Sequence, residues 1–159
     1  MKKGLFVLAF LFVLSSAAFA APLDQSKEPD GFRGIKWGED VNNVKGLQLL
    51  RIETAAEIKT YLRKTDKMSI GDAKLQSINY SFKRDKFLGA EIEVQEKVNA
   101  DALLAFLKET YGETSPGFPG MYQWDFDNVS IMYVYSNKRK SAICAYASKT
   151  YMEKLKGTP

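Results

Sequence analysis

The chain contains no histidine and only one cysteine, Cys144, among its 159 residues. Without histidine there is no His-based acid–base catalysis, no Ser-His or Cys-His nucleophile pair, and no imidazole ligand for zinc or copper. A single cysteine excludes an intramolecular disulfide bond. Because Cys144 lies in the apolar run Ser-Ala-Ile-Cys-Ala-Tyr-Ala, we expect a buried, inert thiol. We therefore expect neither a cofactor nor a metal ion.

Strong clusters of basic residues are also missing. The chain carries 23 Lys and Arg against 19 Asp and Glu, and its longest basic run is Lys138-Arg139-Lys140. Nucleic-acid-binding domains gather many basic residues on one face, whereas a run of three is typical of a solvated turn. The sequence therefore predicts no nucleic-acid partner.

The first twenty residues have the three-part layout of a secretory signal peptide. Lys2 and Lys3 precede ten apolar residues, Leu5–Leu14, and the triplet Ala18-Phe19-Ala20 follows. Small residues suit signal peptidase, so we expect cleavage between Ala20 and Ala21. Ten apolar residues are fewer than the about 20 that span a bilayer, which disfavours the alternative of an uncleaved anchor.

Cleavage predicts a periplasmic or secreted protein with no transmembrane span. The apolar run is not followed by a cysteine, which excludes a lipoprotein anchor. Removal of two lysines leaves 21 basic and 19 acidic residues, a net charge of +2. The remaining 139 residues suit one domain. We assign residues 21–30 to a flexible N-terminus and residues 31–159 to a single α+β domain.

Alternation of apolar and polar residues predicts most of a β-sheet. Ile78, Tyr80 and Phe82 alternate with polar residues, and a similar alternation resumes over residues 88–95 after a short polar connection. This pattern is typical of a β-hairpin with one solvated face. Short connections require antiparallel pairing, so we predict an antiparallel sheet of six to seven strands, flat or strongly bent. The other predicted strands cover residues 47–53, 57–65, 121–126, 129–135 and 141–147.

One main helix is predicted over residues 99–111, where apolar residues recur with a helical period. Asn99 is the expected N-cap, and Gly112 is the expected residue after the last turn. A short second helix is predicted at residues 148–156. The expected fold is therefore α+β, with the main amphipathic helix packed on one face of the sheet.

Residues 31–38, Gly-Phe-Arg-Gly-Ile-Lys-Trp-Gly, combine three glycines with three apolar residues. The glycines predict tight turns, and Trp37 is the expected buried anchor. The segment lacks the Gly-Lys-Ser/Thr of a phosphate loop, so we expect a structural role.

Three further short motifs accompany this segment: Tyr-Ser-Phe at residues 80–82, Asp-Lys-Phe at 85–87 and Tyr-Gly at 111–112. With them the chain resembles a group of small exported bacterial proteins of uncharacterised function that carry a similar glycine-rich segment after the signal peptide. The resemblance implies a bacterial periplasmic setting. It implies no activity, ligand or catalytic residue.

Two pairs of carboxylates are candidates for chemistry. Asp125 and Asp127 lie two residues apart on a predicted strand, as do Glu91 and Glu93. Residues i and i+2 of a strand share a face, about 6.5 to 7 Å apart at Cα, a spacing that suits a divalent cation or glycoside hydrolysis. The solvated face of a half-buried strand gives the same pattern, and we prefer that interpretation.

Aromatic residues form the other candidate site. Tyr122, Trp124 and Phe126 alternate along one strand, with Phe118 in the loop before it and Tyr133 on the next strand. Such a stripe belongs to the core or to an exposed surface that stacks on a ligand. One predicted helix is too short to cover all seven strands. We therefore name Phe118, Tyr122, Trp124 and Tyr133 as the candidate interaction surface.

These features favour a non-catalytic periplasmic binding or protein-interaction module. Its expected partner is an envelope protein or a glycan, and a homodimer is an open alternative. Two other functions stay open: a carbohydrate hydrolase that uses Asp125 or Glu91, and an inhibitor or accessory subunit of an envelope complex.

Overall fold

A computed structural model describes residues 23–114 and 117–156 of the chain. The predicted signal peptide and its cleavage site, and residues 115–116 of the proline- and glycine-rich loop, lie outside the described residues. Within the described ranges, no helix combines the length and the apolar character needed to cross a membrane.

A seven-stranded antiparallel sheet dominates the fold, which confirms the predicted α+β class. Its strand order is β3-β4-β7-β8-β11-β10-β9, so neighbouring strands are mostly joined by hairpins. Two short hairpins, β1-β2 and β5-β6, form separate two-stranded sheets. The strands are β1 (Gly31–Phe32), β2 (Ile35–Lys36), β3 (Leu47–Glu53), β4 (Ile58–Arg63), β5 (Ser69–Ile70), β6 (Ala73–Lys74), β7 (Ser77–Lys83), β8 (Lys86–Gln95), β9 (Met121–Asp125), β10 (Val129–Ser136) and β11 (Ser141–Ser148).

The main helix, α1 (Lys97–Tyr111), packs on one face of this sheet, and the short α2 (Lys149–Lys156) follows β11. The predicted C-terminus is confirmed, because the N–H of Gly112 caps the helix by donating to the carbonyl of Lys108 at 2.8 Å. The predicted N-cap is wrong, since the helix starts two residues before Asn99. Instead, the side-chain oxygen of Asn99 accepts a hydrogen bond from the backbone N–H of Lys74 at 3.1 Å. This contact ties the helix to the β5-β6 hairpin.

The two short hairpins add to the core, the first by packing on the sheet and the second by contacting both α1 and β8. In the first, the Phe32 ring lies 4.9 Å from the Tyr146 ring, and Ile35 is buried beside it. Trp37 stacks on Phe87 at 5.1 Å and donates from Nε1 to the carbonyl of Pro29, although its ring is only half-buried. The glycine-rich segment thus has the predicted structural role, because its side chains cover part of the core.

The residues just before this hairpin also contact the domain. Gln25–Lys27 form one turn of 3-10 helix. The side chains of Gln25 and Glu28 accept hydrogen bonds from the N–H groups of Asp127 and Asn128, at 3.0 and 2.5 Å. These bonds give partners to the backbone N–H groups of the turn between β9 and β10. The segment that the sequence assigns to a flexible N-terminus therefore lies against this turn.

Candidate functional site

The face of the sheet opposite α1 carries a row of small residues. Hydrogen-bonded registers place Thr60, Ser81, Gly89 and Ala147 side by side on β4, β7, β8 and β11. Three strand spacings make this row about 14 Å long. Because Gly89 has no side chain and the other three residues have short ones, the row forms the floor of a depression that runs across the strands.

Larger side chains turn this depression into a groove of about 460 Å³. Met152 of α2, Leu88 and Ile58 line it together with Ala145 and Ala147. The volume lies within the about 300 to 1,000 Å³ that is typical of small-molecule sites. The groove therefore has the size and the mixed apolar and polar lining of a ligand-binding site.

Charged side chains of both signs line the groove. Arg51 and Glu53 of β3 form an exposed ion pair at 2.8 Å. Lys83 of β7 and Glu91 of β8 have no ion-pair partner among the residues that the structure describes. Since Glu91 faces Asn79 in register, four residues before Lys83, the two Cα atoms lie about 14 Å apart. The groove thus presents a free ammonium and a free carboxylate well separated from each other.

Two of the four residues named as the interaction surface are buried in the core. Trp124 is fully buried and donates from Nε1 to the carbonyl of Gly112 at 2.7 Å, and Tyr133 is 2 % exposed and donates to the carbonyl of Ala100 at 2.9 Å. Both rings face α1, because their strands alternate toward the apolar side of the sheet. The prediction that these two rings are available to a partner is therefore wrong.

The other two residues of that set remain accessible. Phe118 is 58 % exposed in the loop before β9. Tyr122 is half-buried, packs edge-on against Tyr133 at 6.0 Å, and lies beneath the Lys108 ammonium at 5.3 Å from its ring centre. Tyr122 is therefore tied to the helix, and Phe118 stands alone rather than within an aromatic surface.

The predicted carboxylate pairs lie on solvated parts of the sheet. Strand β9 ends at Asp125, so Asp127 falls in the following turn, and Asp125 forms an ion pair with Lys149 at 2.9 Å. Glu91 lines the groove, whereas Glu93 accepts a hydrogen bond from Gln95. Within residues 23–114 and 117–156, no three His, Cys, Asp or Glu side chains converge in a way that could hold a metal ion.

A buried charged cluster, which the sequence did not reveal, anchors the end of β4. Arg63 pairs with Asp66 at 2.7 Å, and the Asp66 side chain, only 4 % exposed, also accepts a hydrogen bond from the Tyr80 hydroxyl. The Arg63 guanidinium further donates to the carbonyl of Arg33. Every partner belongs to the fold itself, so the cluster fastens the β1-β2 hairpin to the sheet.

The Cys144 thiol is fully buried, as predicted. Burial raises the pKa of the thiol far above its usual range, so the reactive thiolate is absent at neutral pH. The same cause raises the pKa values of four buried tyrosines, Tyr80, Tyr111, Tyr133 and Tyr146. These groups therefore contribute to the core as neutral side chains.

No family model, curated protein or solved structure matches this chain. The groove is therefore interpreted from its own geometry and chemistry.

Proposed function

We propose that this protein is a non-catalytic binding module of the bacterial cell envelope that holds a small solute in the groove on the helix-free face of its sheet. The groove of about 460 Å³ is the observation that carries the proposal. Its floor is built from small residues on four adjacent strands, so a ligand that lies over them can contact the backbone closely.

The charges of the groove favour a zwitterionic ligand of peptide length. The Lys83 ammonium attracts a carboxylate, and the Glu91 carboxylate attracts an ammonium group. Their Cα atoms lie about 14 Å apart, and an extended tetrapeptide spans about 13 to 14 Å. A short peptide that runs along β7 and β8 can therefore place one terminus near each charge while its middle crosses the row of small residues.

The carboxylates do not support the hydrolase alternative. A glycosidase needs two carboxyl groups that flank the scissile bond, about 5 to 9.5 Å apart. Glu91 and Glu93 have about that spacing, but they project from one strand in the same direction, so they do not flank a bond, and Glu93 does not line the groove. The other carboxylate in the groove, Glu53, is three strands away, about 14 Å or more. A binding role fits this arrangement better than bond cleavage.

Tetra-alanine is expected to bind the protein in isothermal titration calorimetry at low ionic strength. Ala147→Leu adds a bulky side chain to the floor of the groove and is expected to weaken binding by at least about tenfold, or 1.4 kcal/mol. Tetra-alanine with an acetylated N-terminus and an amidated C-terminus should bind more weakly, because it offers no charge to Lys83 or Glu91.

Ile143→Leu is the matched control. Ile143 lies on the same strand and the same face as Ala147 but does not line the groove, so this variant should bind the peptide as the wild type does. If tetra-alanine binds neither protein, or if Ala147→Leu binds it as tightly as the wild type, the proposed use of the groove is wrong.

The envelope location has a separate test. Protein recovered from the envelope fraction of a bacterial host should begin at Ala21, since the first twenty residues have the layout of a signal peptide. Intact-mass spectrometry will detect the loss of these residues. A mature protein that retains Met1 to Ala20 would contradict cleavage and favour an N-terminal anchor.

A further inference from the structure

The edge strand β3 concentrates exposed apolar side chains. Leu49, Leu50 and Ile52 are 48 %, 56 % and 55 % exposed, and they lie within four residues of each other. An exposed apolar edge strand offers both unpaired backbone groups and an apolar surface, and proteins usually protect such edges. This strand is therefore a candidate interface.

The opposite edge of the sheet, strand β9, is protected by hydrogen bonds, whereas the edge at β3 is open in the described sheet. At β9, the N–H of Gly117 donates to the carbonyl of Met121 at 3.1 Å, and the Thr114 hydroxyl donates to the carbonyl of Gln123 at 2.9 Å. Thr114 and Gly117 thus occupy part of that edge. At β3, the only strand that pairs with it in the described part of the chain is β4.

A β-bulge sets which side chains of β3 share a face. The register of β3 on β4 shifts between Leu49 and Arg51. Leu49 faces Tyr61, whose ring packs against Phe82 on the helix side. Beyond the bulge, Arg51 and Glu53 line the groove on the other face, so Ile52 between them points to the helix side. Leu49 and Ile52 therefore lie on one face although they are three residues apart.

This spacing makes the strand complementary to itself. In an antiparallel pair, residues directly opposite each other point to the same face. When β3 pairs with a second β3 about a two-fold axis between Leu50 and Arg51, Leu49 lies opposite Ile52 of the copy, and Ile52 lies opposite Leu49. On the groove face, Gln48 lies opposite Glu53 of the copy, so no like charges meet. A register centred on Leu50 would instead oppose Leu49 to Arg51, which point to different faces.

We infer that β3 joins a second copy of this chain across a two-fold axis, so that two seven-stranded sheets become one continuous sheet. Such an isologous contact uses the same residues twice. It buries Leu49 and Ile52 of both copies and pairs the exposed backbone edge. The two grooves then open on the same face of the extended sheet, with the Arg51–Glu53 pairs between them.

Sedimentation equilibrium of the protein purified from the envelope fraction tests this inference. The wild type is expected to be a dimer at micromolar concentration. In the dimer, Leu49→Lys places an ammonium opposite Ile52 of the copy, and Ile52→Glu places a carboxylate opposite Leu49 of the copy. Each charge occurs twice because of the two-fold axis, so each variant should raise the dimer dissociation constant by more than about tenfold. The two single variants, when mixed, should form a heterodimer, because the introduced ammonium and carboxylate face each other.

Val98→Glu is the control, since Val98 is 67 % exposed on α1 and lies away from β3. This variant should dimerise like the wild type. Circular dichroism should show native folding for all variants, because the substituted side chains are exposed. A wild type that stays monomeric at a concentration on the order of 100 micromolar, at which a contact of micromolar dissociation constant would be almost fully formed, overturns the inference. So does a dimer that Ile52→Glu leaves intact.

Discussion

Trp124→Ala is expected to lower the free energy of unfolding by about 3 to 5 kcal/mol. Trp124 is fully buried, and its ring lies 6.4 Å from that of Tyr111 at the end of α1. The substitution removes the ring and leaves a cavity between the sheet and the helix. It also removes the hydrogen bond to the carbonyl of Gly112, which caps the last turn of α1. Urea denaturation followed by circular dichroism measures the loss as a lower midpoint.

Phe118→Ala is the control for this experiment, because Phe118 is an aromatic residue of the same segment but 58 % exposed. Its loss should change the free energy of unfolding by less than about 0.5 kcal/mol. Equal destabilisation by the two substitutions would contradict the division of this aromatic set into core and surface.

Stability is expected to collapse above pH 10. The pKa values of Tyr80, Tyr111, Tyr133 and Tyr146 are all raised in the folded state, chiefly because burial disfavours the charged phenolate. In the unfolded chain these hydroxyls ionise near pH 10. Their contribution is therefore complete below about pH 10 and is lost as the pH rises toward the folded pKa values.

The expected slope is large because the four hydroxyls act together. Each group contributes up to about 1.4 kcal/mol per pH unit between its unfolded and folded pKa values. Four groups give up to about 5 to 6 kcal/mol per pH unit, against a total stability of about 5 to 15 kcal/mol for an ordinary domain. Absorbance of phenolate at 295 nm should therefore rise cooperatively with unfolding within about two pH units above 10.

Tyr133→Phe provides the matched variant. It removes one buried hydroxyl and its bond to the carbonyl of Ala100, so it should cost about 1 kcal/mol at pH 7. Above pH 10 its stability should fall less steeply than that of the wild type, because one titrating group is gone. Gradual ionisation of all tyrosines without loss of the fold would show that these hydroxyls reach solvent.

The regular elements follow from local patterns in the sequence. The hairpin of β7 and β8 was predictable because apolar residues alternate on both sides of a short polar turn, and this pattern determines one buried face. The end of α1 was predictable because Gly112 adopts a positive φ of 97° at low cost. Its start was not, because Asn99 lies inside the first turn, where its side chain accepts from the N–H of the distant Lys74 and donates to the carbonyl of Gln95 before the helix.

The groove and the open edge could not be predicted in the same way. Within its own strand, each small residue of the groove floor fits an ordinary strand pattern and does not indicate a groove. Only the strand order brings Thr60, Ser81, Gly89 and Ala147 into one row. Likewise, the sequence shows that β3 is apolar but not that it lies at an edge.

The sequence by itself determined the class of fold, the positions of most strands and the main helix, and the burial of Cys144, because periodicity and apolar character act over a few neighbouring residues. The tertiary structure alone decided which aromatic rings enter the core, where the small side chains leave a groove, and which strand of the described sheet keeps an open edge. These features depend on contacts between strands distant in the chain, whose order and register are fixed by the packing of the whole sheet against α1 and the two short hairpins.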